Sequence, residues 1–365
     1  MEFFRHLYRH LFMLGMAMMV CSLALGADTT NNTWTGTKAK YVFYFIGDGL
    51  AEQQRHAAEV YRDASATRAN TPGDVASKKL VMNTLPVQGV NTTYSSNSYI
   101  TDSAPAGTAL ATGYKTNNGM INVLPDQTTK VTTMAEMAKA KGMKVGIISN
   151  VSIDHATPAA FYAHQKSRNN YYDIAVELST SKFDFFGGGG LLDKGGSRTA
   201  TSTPALDVVK AAGYTLLNTR DTLMALTPNQ YPKVIYINPI LPDSSAMPYE
   251  IDRASTDASL ADITGAAMNY LYNTDKGFFM MVEGGKIDWA CHANDAMSTV
   301  KDVIAFDDAI AKAITFYNQH PTETLIVVTG DHETGGMALG FANTPAADGY
   351  DLDLERMCGQ TISFQ

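Results

Sequence analysis

Tyr41-Val42-Phe43-Tyr44-Phe45-Ile46-Gly47-Asp48-Gly49 is the stretch on which the reading of the fold turns. An unbroken run of β-branched and aromatic residues, stopped by glycine, reads as a strand buried on both faces. The acid after Gly47 then lies just beyond the strand's carboxyl end. The pattern recurs: Asn150 follows Lys144–Ile148, Glu283 follows Phe278–Val282, and Asp331-His332 follow Thr324–Val328 after Thr329-Gly330. Helical periodicity fills Thr132–Lys141, Ala254–Tyr272 and Thr299–Tyr317. Strands alternating with helices predict an α/β three-layer sandwich, a mostly parallel central sheet flanked by helices. No internal repeat is visible, and the Ser- and Thr-rich Ser197–Pro204 reads as a surface loop. Ligands of such sheets bind beyond the carboxyl ends of the strands. Acids from distant stretches therefore gather at one edge, where divalent cations relieve their repulsion.

The chain has 365 residues, 45% hydrophobic and 18% charged, which suits one large α/β domain or two average ones. Its net charge of -8 provides no basic footprint for nucleic acid as a specific partner. Small phosphate esters stay open as ligands, because bound metals reverse the field locally. Arg5 and Arg9 precede the apolar Leu11–Leu25 and the small residues at Ala24-Leu25-Gly26. This is a signal-peptide layout over 1–26, with the mature domain over 27–365 and a periplasmic or secreted location. A membrane anchor needs a longer apolar run, and Met18-Met19-Val20 before Cys21 makes a poor lipoprotein motif. Beyond this segment stand Cys291 and Cys358, at most one disulfide, with Cys291 read as a small buried residue.

Each motif has a bland reading beside its chemical one. Gly47-Asp48-Gly49 could be a strand-ending turn; Glu52 replaces the third glycine of a dinucleotide fingerprint. Asp288-x-x-x-His292 places two ligand types on one face of a helix, as a metal site requires, or forms a surface ion pair. Asp331-His332 offers two further ligands or a simple turn. Asp102-Ser103 before Ala104-Pro105-Ala106-Gly107 reads as a helix start. Either residue could be only an N-cap, yet the same N-terminus suits a phosphate, and a metal there can deprotonate the serine for attack. No Gly-x-Ser-x-Gly elbow surrounds Ser103, which disfavours acyl transfer. Arg168 has the planar fork that grips two phosphate oxygens, or a surface salt bridge. Gly187–Gly190 lacks a following Gly-Lys-Ser/Thr and reads as a flexible turn. His56, His164 and His320 are assigned to packing or surface.

Taken together, these motifs closely resemble the alkaline phosphatase family over about Tyr41 to Gly340. They occur in family order: Ile46-Gly47-Asp48-Gly49, Thr101-Asp102-Ser103-Ala104, His155-Ala156-Thr157-Pro158-Ala159, Ser167-Arg168, Val282-Glu283-Gly284-Gly285-x-Ile287-Asp288 and Thr329–Gly336. The resemblance implies two zinc ions and one magnesium ion. Asp288 and His292 would hold the first zinc with a later histidine. Asp48, Asp331 and His332 would hold the second, which contacts the Ser103 oxygen. Asp48, Thr157 and Glu283 would hold the magnesium. It also implies double in-line displacement of phosphate monoesters through a phosphoseryl intermediate, an alkaline pH optimum, Asp102 orienting Arg168, and a homodimer. His155 and Trp289 mark a bacterial subgroup, in which both positions lie around the magnesium and the phosphate.

One departure concerns the first zinc: the family's third ligand is a histidine well beyond Asp331-His332, and none follows here. The reading is a catalytic domain incomplete at its C-terminus, with a helix start over Asp351–Met357 running into the terminus, a weak first zinc site and low activity. Four rivals remain. A sulfatase requires x-Pro-x-Arg after its nucleophile, and Gly107 replaces the arginine. Related diesterases generally use threonine and lack the magnesium set. A non-catalytic phosphate- or metal-binding protein would leave Ser103 unphosphorylated, and a structural α/β domain would carry its carboxylates by chance.

Overall fold

The computed structural model describes residues 38–67, 78–339 and 359–364. The signal-like segment, the helical pattern at 351–357 and Cys358 lie outside the described residues. The strands are β1 (Tyr41–Gly47), β2 (Lys144–Ser149), β3 (Phe185–Gly188), β4 (Tyr214–Leu217), β5 (Lys233–Ile237), β6 (Phe278–Gly284) and β7 (Thr324–Gly330). They form one sheet in the order β4-β5-β3-β2-β6-β1-β7, and every pairing is parallel.

Period-two alternation explains the layers. Tyr41, Phe43 and Phe45 of β1 join Phe278, Met280 and Val282 of β6 in one core. On the opposite face Val42, Tyr44 and Ile46 pack with Phe279 and Met281 in a second core. The first core is covered by α1 (Glu52–Thr67), α7 (Arg220–Met224), α8 (Leu260–Leu271) and α10 (Ala296–Gln319). The second is covered by α2 (Ser103–Thr112), α3 (Met134–Ala140), α4 (Ala156–Ala159), α5 (Tyr171–Thr180) and α6 (Ala205–Ala211). A further short helix, α9 (Lys286–His292), follows β6 directly. The expected sandwich is therefore present, with an entirely parallel sheet.

Register fixes where the site forms. Gly47 of β1 is level with both Gly284 of β6 and Gly330 of β7, and Glu283 is level with Ile46 and Ser149. Four strands thus end together, and the acids beyond them converge.

Several boundaries differ from the sequence reading. The helix expected from Ala254 starts at Leu260, because Ser259 caps it: Ser259 Oγ accepts from Asp262 N (3.1 Å) and Asp262 Oδ2 accepts from Ser259 N (3.2 Å). Residues 187–190 are not a flexible turn. All four glycines are buried, and Gly187-Gly188 close β3. Gly188 has φ +137°, and a Cβ there would lie 1.6 Å from the Ser149 carbonyl oxygen, so close backbone approach demands glycine.

The aromatic wall of the first core carries much of its stability. Phe278 is fully buried and its ring lies 5.1–5.6 Å from those of Tyr41, Phe43 and Phe316. Phe278→Ala should cost about 3–5 kcal/mol in urea unfolding, as large-to-small core changes do, whereas Tyr317→Ala on the exposed side of α10 should cost under about 1 kcal/mol.

Candidate active site

Small residues bring Ser103 into place. Asp102 caps α2, its Oδ1 accepting from Ala104 N at 2.9 Å. The Ala- and Gly-rich helix then packs so closely on α4 that a Cβ on Gly107 would lie 3.0 Å from Ala160 Cβ. Ser103 Oγ consequently lies 3.3 and 3.4 Å from the two Asp48 carboxylate oxygens and 3.4 Å from His332 Nε2. The helix start offers a phosphate less than the sequence suggested. Ala104 N–H is taken by Asp102, Pro105 has no N–H, and Ala106 N–H donates to Asp102 O. What remains is the Ser103 N–H and the positive end of the dipole.

Asp102 does more than cap. Its Oδ1 lies 2.8 Å from Arg168 NH1 and its Oδ2 accepts from Gly119 N at 2.6 Å. Arg168 N in turn donates to Gly119 O at 2.7 Å. The expected pairing of Asp102 with Arg168 is present. Arg168 NH2 also donates to His155 Nε2 at 3.2 Å. Burial works against the guanidinium's charge, yet Asp102 holds its pKa above the ordinary value. His155 is pushed down to about 3 by burial and by Arg168, so its ring is neutral. Trp289 packs edge-on against it, with ring centroids 5.9 Å apart.

The acids collect as the register dictates. Asp48, Asp288 and His332 each offer a ligand atom within 4.8 Å of the others, as do Asp48, His155 and Glu283. Asp331 Oδ1 accepts from Gly49 N (3.1 Å) and His332 N (2.9 Å). Thr334 Oγ1 donates to Asp288 Oδ1 at 2.5 Å. Burial and mutual repulsion raise the pKa of Asp48 and of Asp331, and burial pushes Glu283 up to about 8. Thr157 Oγ1, Glu283 Oε1 and Asp331 Oδ2 are buried without a hydrogen-bond partner. Orphaned oxygens among buried carboxylates are the donor set a divalent cation takes. Asp288 and His292 lie on one face of α9, with Nε2 3.5 Å from Oδ1. The His292 side chain is 70% exposed and belongs to neither cluster.

All twelve residues singled out in the sequence lie in this region. Three contributors were not anticipated. Ser149 donates a short hydrogen bond to Glu283, Thr334 orients Asp288, and Lys286 is wholly buried. Ser149 and Thr334 carry no signal by themselves, and a lysine is read as exposed by default. His164 Nε2 donates to Val131 O (3.0 Å), and His320 packs against Phe316 in the aromatic wall, as expected for packing residues. Cys291 is a buried free thiol.

Comparison with known proteins identifies the family and the fold. The alkaline phosphatase family model matches residues 39–185 and 193–352. A curated relative, alkaline phosphatase 4 of Bacillus subtilis, is 38% identical over 248 residues, 66% of this chain and 51% of the relative. The chain thus spans about half the length of that curated relative. The crystal structure of a cold-active alkaline phosphatase from a psychrophilic Shewanella superposes with a TM-score of 0.74 at 33% identity, covering 88% of this chain and 74% of that one. A variant of the TAB5 alkaline phosphatase, solved with magnesium bound in its M3 site, superposes with a TM-score of 0.70 at 31% identity, covering 87% and 84%.

A carboxyl whose pKa is raised by folding keeps its proton in the folded state where the unfolded chain has released it. Stability then falls as pH rises through the window between the two values. With Glu283 pushed up to about 8 and Asp48 and Asp331 raised with it, the chelator-treated protein should lose stability between about pH 5 and 8. Added divalent cation should restore it, as thermal unfolding at fixed ionic strength will show.

Proposed function

The chain belongs to the alkaline phosphatase family, and we propose that it hydrolyses phosphate monoesters to an alcohol and inorganic phosphate at this site, with Ser103 as nucleophile. One observation carries the reading. The Ser103 hydroxyl, at the positive end of α2, touches Asp48 and His332 while Arg168, held by Asp102, lines the same cleft.

We assign Asp288 and His292 to a first zinc ion, Asp48, Asp331 and His332 to a second, and Asp48, Thr157 and Glu283 to magnesium. These donor sets match imidazole and carboxylate for zinc and oxygen alone for magnesium. Bound cations would supply Lewis-acid stabilisation of the phosphoryl oxygens and lower the pKa of water. The chain's own residues do the rest. Asp48 and His332 are within reach of the Ser103 proton. Ser103 Oγ then bonds to phosphorus as the ester P–O bond breaks, and the leaving oxygen departs as the alcohol once protonated. Water then attacks the phosphoseryl group in line, from the side the alcohol left and opposite Oγ; the P–Oγ bond breaks, and Ser103 regains its proton. Arg168 places N–H donors on the equatorial oxygens, where charge is held through both displacements. Its raised pKa keeps it charged, and His155 stays neutral, across the neutral-to-alkaline range in which we place the pH optimum. The N-terminal segment supports a periplasmic or secreted location, and the family resemblance supports a homodimer.

Ser103→Ala should abolish trapping of phosphate on the protein at low pH and lower p-nitrophenyl phosphate turnover by about a thousandfold or more, as loss of a nucleophile does. Wild-type protein that binds phosphate yet never forms an acid-stable phosphoserine would sink the assignment. Arg168→Lys should raise the phosphate inhibition constant about tenfold, because a bidentate fork becomes a point charge.

A further inference from the structure

Lys286 is the first residue of α9, two positions before Asp288, and it is wholly buried. Its ammonium makes no hydrogen bond. Burying an ammonium without an acceptor is costly, so its surroundings must compensate. They do so with two aromatic faces, Tyr249 with its centroid 3.6 Å from Nζ and Trp289 at 4.6 Å. A desolvated cation over an indole is the strongest form of this contact. Burial pushes the ammonium's pKa down to about 8, and the field of Asp302, Asp243 and Asp252 works against that fall. The backbone is held as well: Lys286 N donates to Asn150 Oδ1 at 3.1 Å, and Asn150 Nδ2 reaches Asp302 Oδ1 at 3.4 Å.

Trp289 is only partly buried and lines the catalytic cleft, so packing alone leaves its ring unconstrained on one side. The ammonium contacts the indole, the indole meets His155 edge-on at 5.9 Å, and His155 Nε2 accepts from Arg168 at 3.2 Å. Each contact in this series is a direct one. We propose that Lys286 is a positioning residue: its buried ammonium fixes the indole of Trp289 and, through it, the His155 ring that holds Arg168 ready for phosphate. The effect on phosphate rests on the functional reading above; the clamp on the indole does not.

The chain has two tryptophans, Trp34 and Trp289, so Trp34→Phe leaves Trp289 as the single fluorescent reporter. In that background Lys286→Met keeps the side chain's length and removes its charge. Time-resolved anisotropy should show greater local motion of the indole in Lys286→Met and recovery of restraint in Lys286→Arg. In the metal-loaded full chain, calorimetric titration with inorganic phosphate should give a dissociation constant raised about fivefold by Lys286→Met. Trp289→Leu should raise it similarly, and the double variant should be no weaker than Trp289→Leu alone, because both changes break one series of contacts. Unchanged indole motion in a folded Lys286→Met protein overturns the proposal, as does a phosphate effect that adds in full to that of Trp289→Leu. If Lys286→Met fails to fold, Tyr249→Leu removes the opposite ring and must loosen Trp289 for the proposal to stand. Wild-type protein that binds no phosphate would overturn the functional reading instead, while the anisotropy comparison still decides the clamp.

Discussion

Repulsion among Asp48, Glu283 and Asp331 is the constraint to which the rest of the structure answers. All three are buried to within 2% of complete, and level strand ends in a parallel sheet leave them no room to separate. Isolated buried carboxylates either take up protons or acquire a positive partner. The protein supplies few such partners: Arg168 acts on Asp48, and His332 on Asp331. The remaining imbalance is marked by unpartnered oxygen atoms on Thr157, Glu283 and Asp331, side by side in the same cluster. The folded chain carries a concentrated negative site whose completion lies in a bound cation, and the raised pKa values express the same imbalance as protonation.

Around this site the chain uses short connections where position must be tight. Asp102 is the clearest case. One carboxylate caps α2, accepts from Gly119 N and pairs with Arg168. It thereby couples the helix that begins at Ser103 to the loop bearing Arg168. The small residues of α2 have the complementary role. They allow α2 to approach α4, so Ser103 and Thr157 are brought to the acids from two helices in direct contact. A larger residue at Gly107 would press on Ala160 and on the Thr157 backbone and so move Ser103 away from Asp48.

The strands that carry chemistry were legible because each joins a strong apolar run to a terminal acid: Tyr41–Ile46 to Asp48, Phe278–Val282 to Glu283, Thr324–Val328 to Asp331. The strands that only extend the sheet were not. Phe185-Phe186-Gly187-Gly188 is half glycine, chosen for close approach to Ser149 rather than for propensity. Tyr214–Leu217 has four residues and Lys233–Ile237 five, and neither leads into an acid. For the site, residue type and order pointed to Ser103, Arg168 and the acids before any geometry was known. Lys286 was invisible for the opposite reason. A buried lysine is legible only when its two rings are known to meet it, and Tyr249 lies far from it in sequence.

His155 shows how hydrogen bonding divides ligands among cations. A neutral imidazole has one lone pair. Arg168 is a donor without acceptor capacity, so its 3.2 Å contact with Nε2 commits that lone pair and leaves the ring proton on Nδ1, which is buried without an acceptor. His155 lies close enough to Asp48 and Glu283 to be grouped with them, yet in this arrangement it has nothing left to give a metal. The donors that remain at that position are the oxygens of Asp48, Thr157 and Glu283, a hard set suited to magnesium. In the proposed site Arg168 would therefore do two things through one contact: grip the phosphate and withhold an imidazole from a neighbouring cation. A metal able to claim His155 would have to take it from Arg168, so a softer cation at this position would come at the expense of the grip on phosphate.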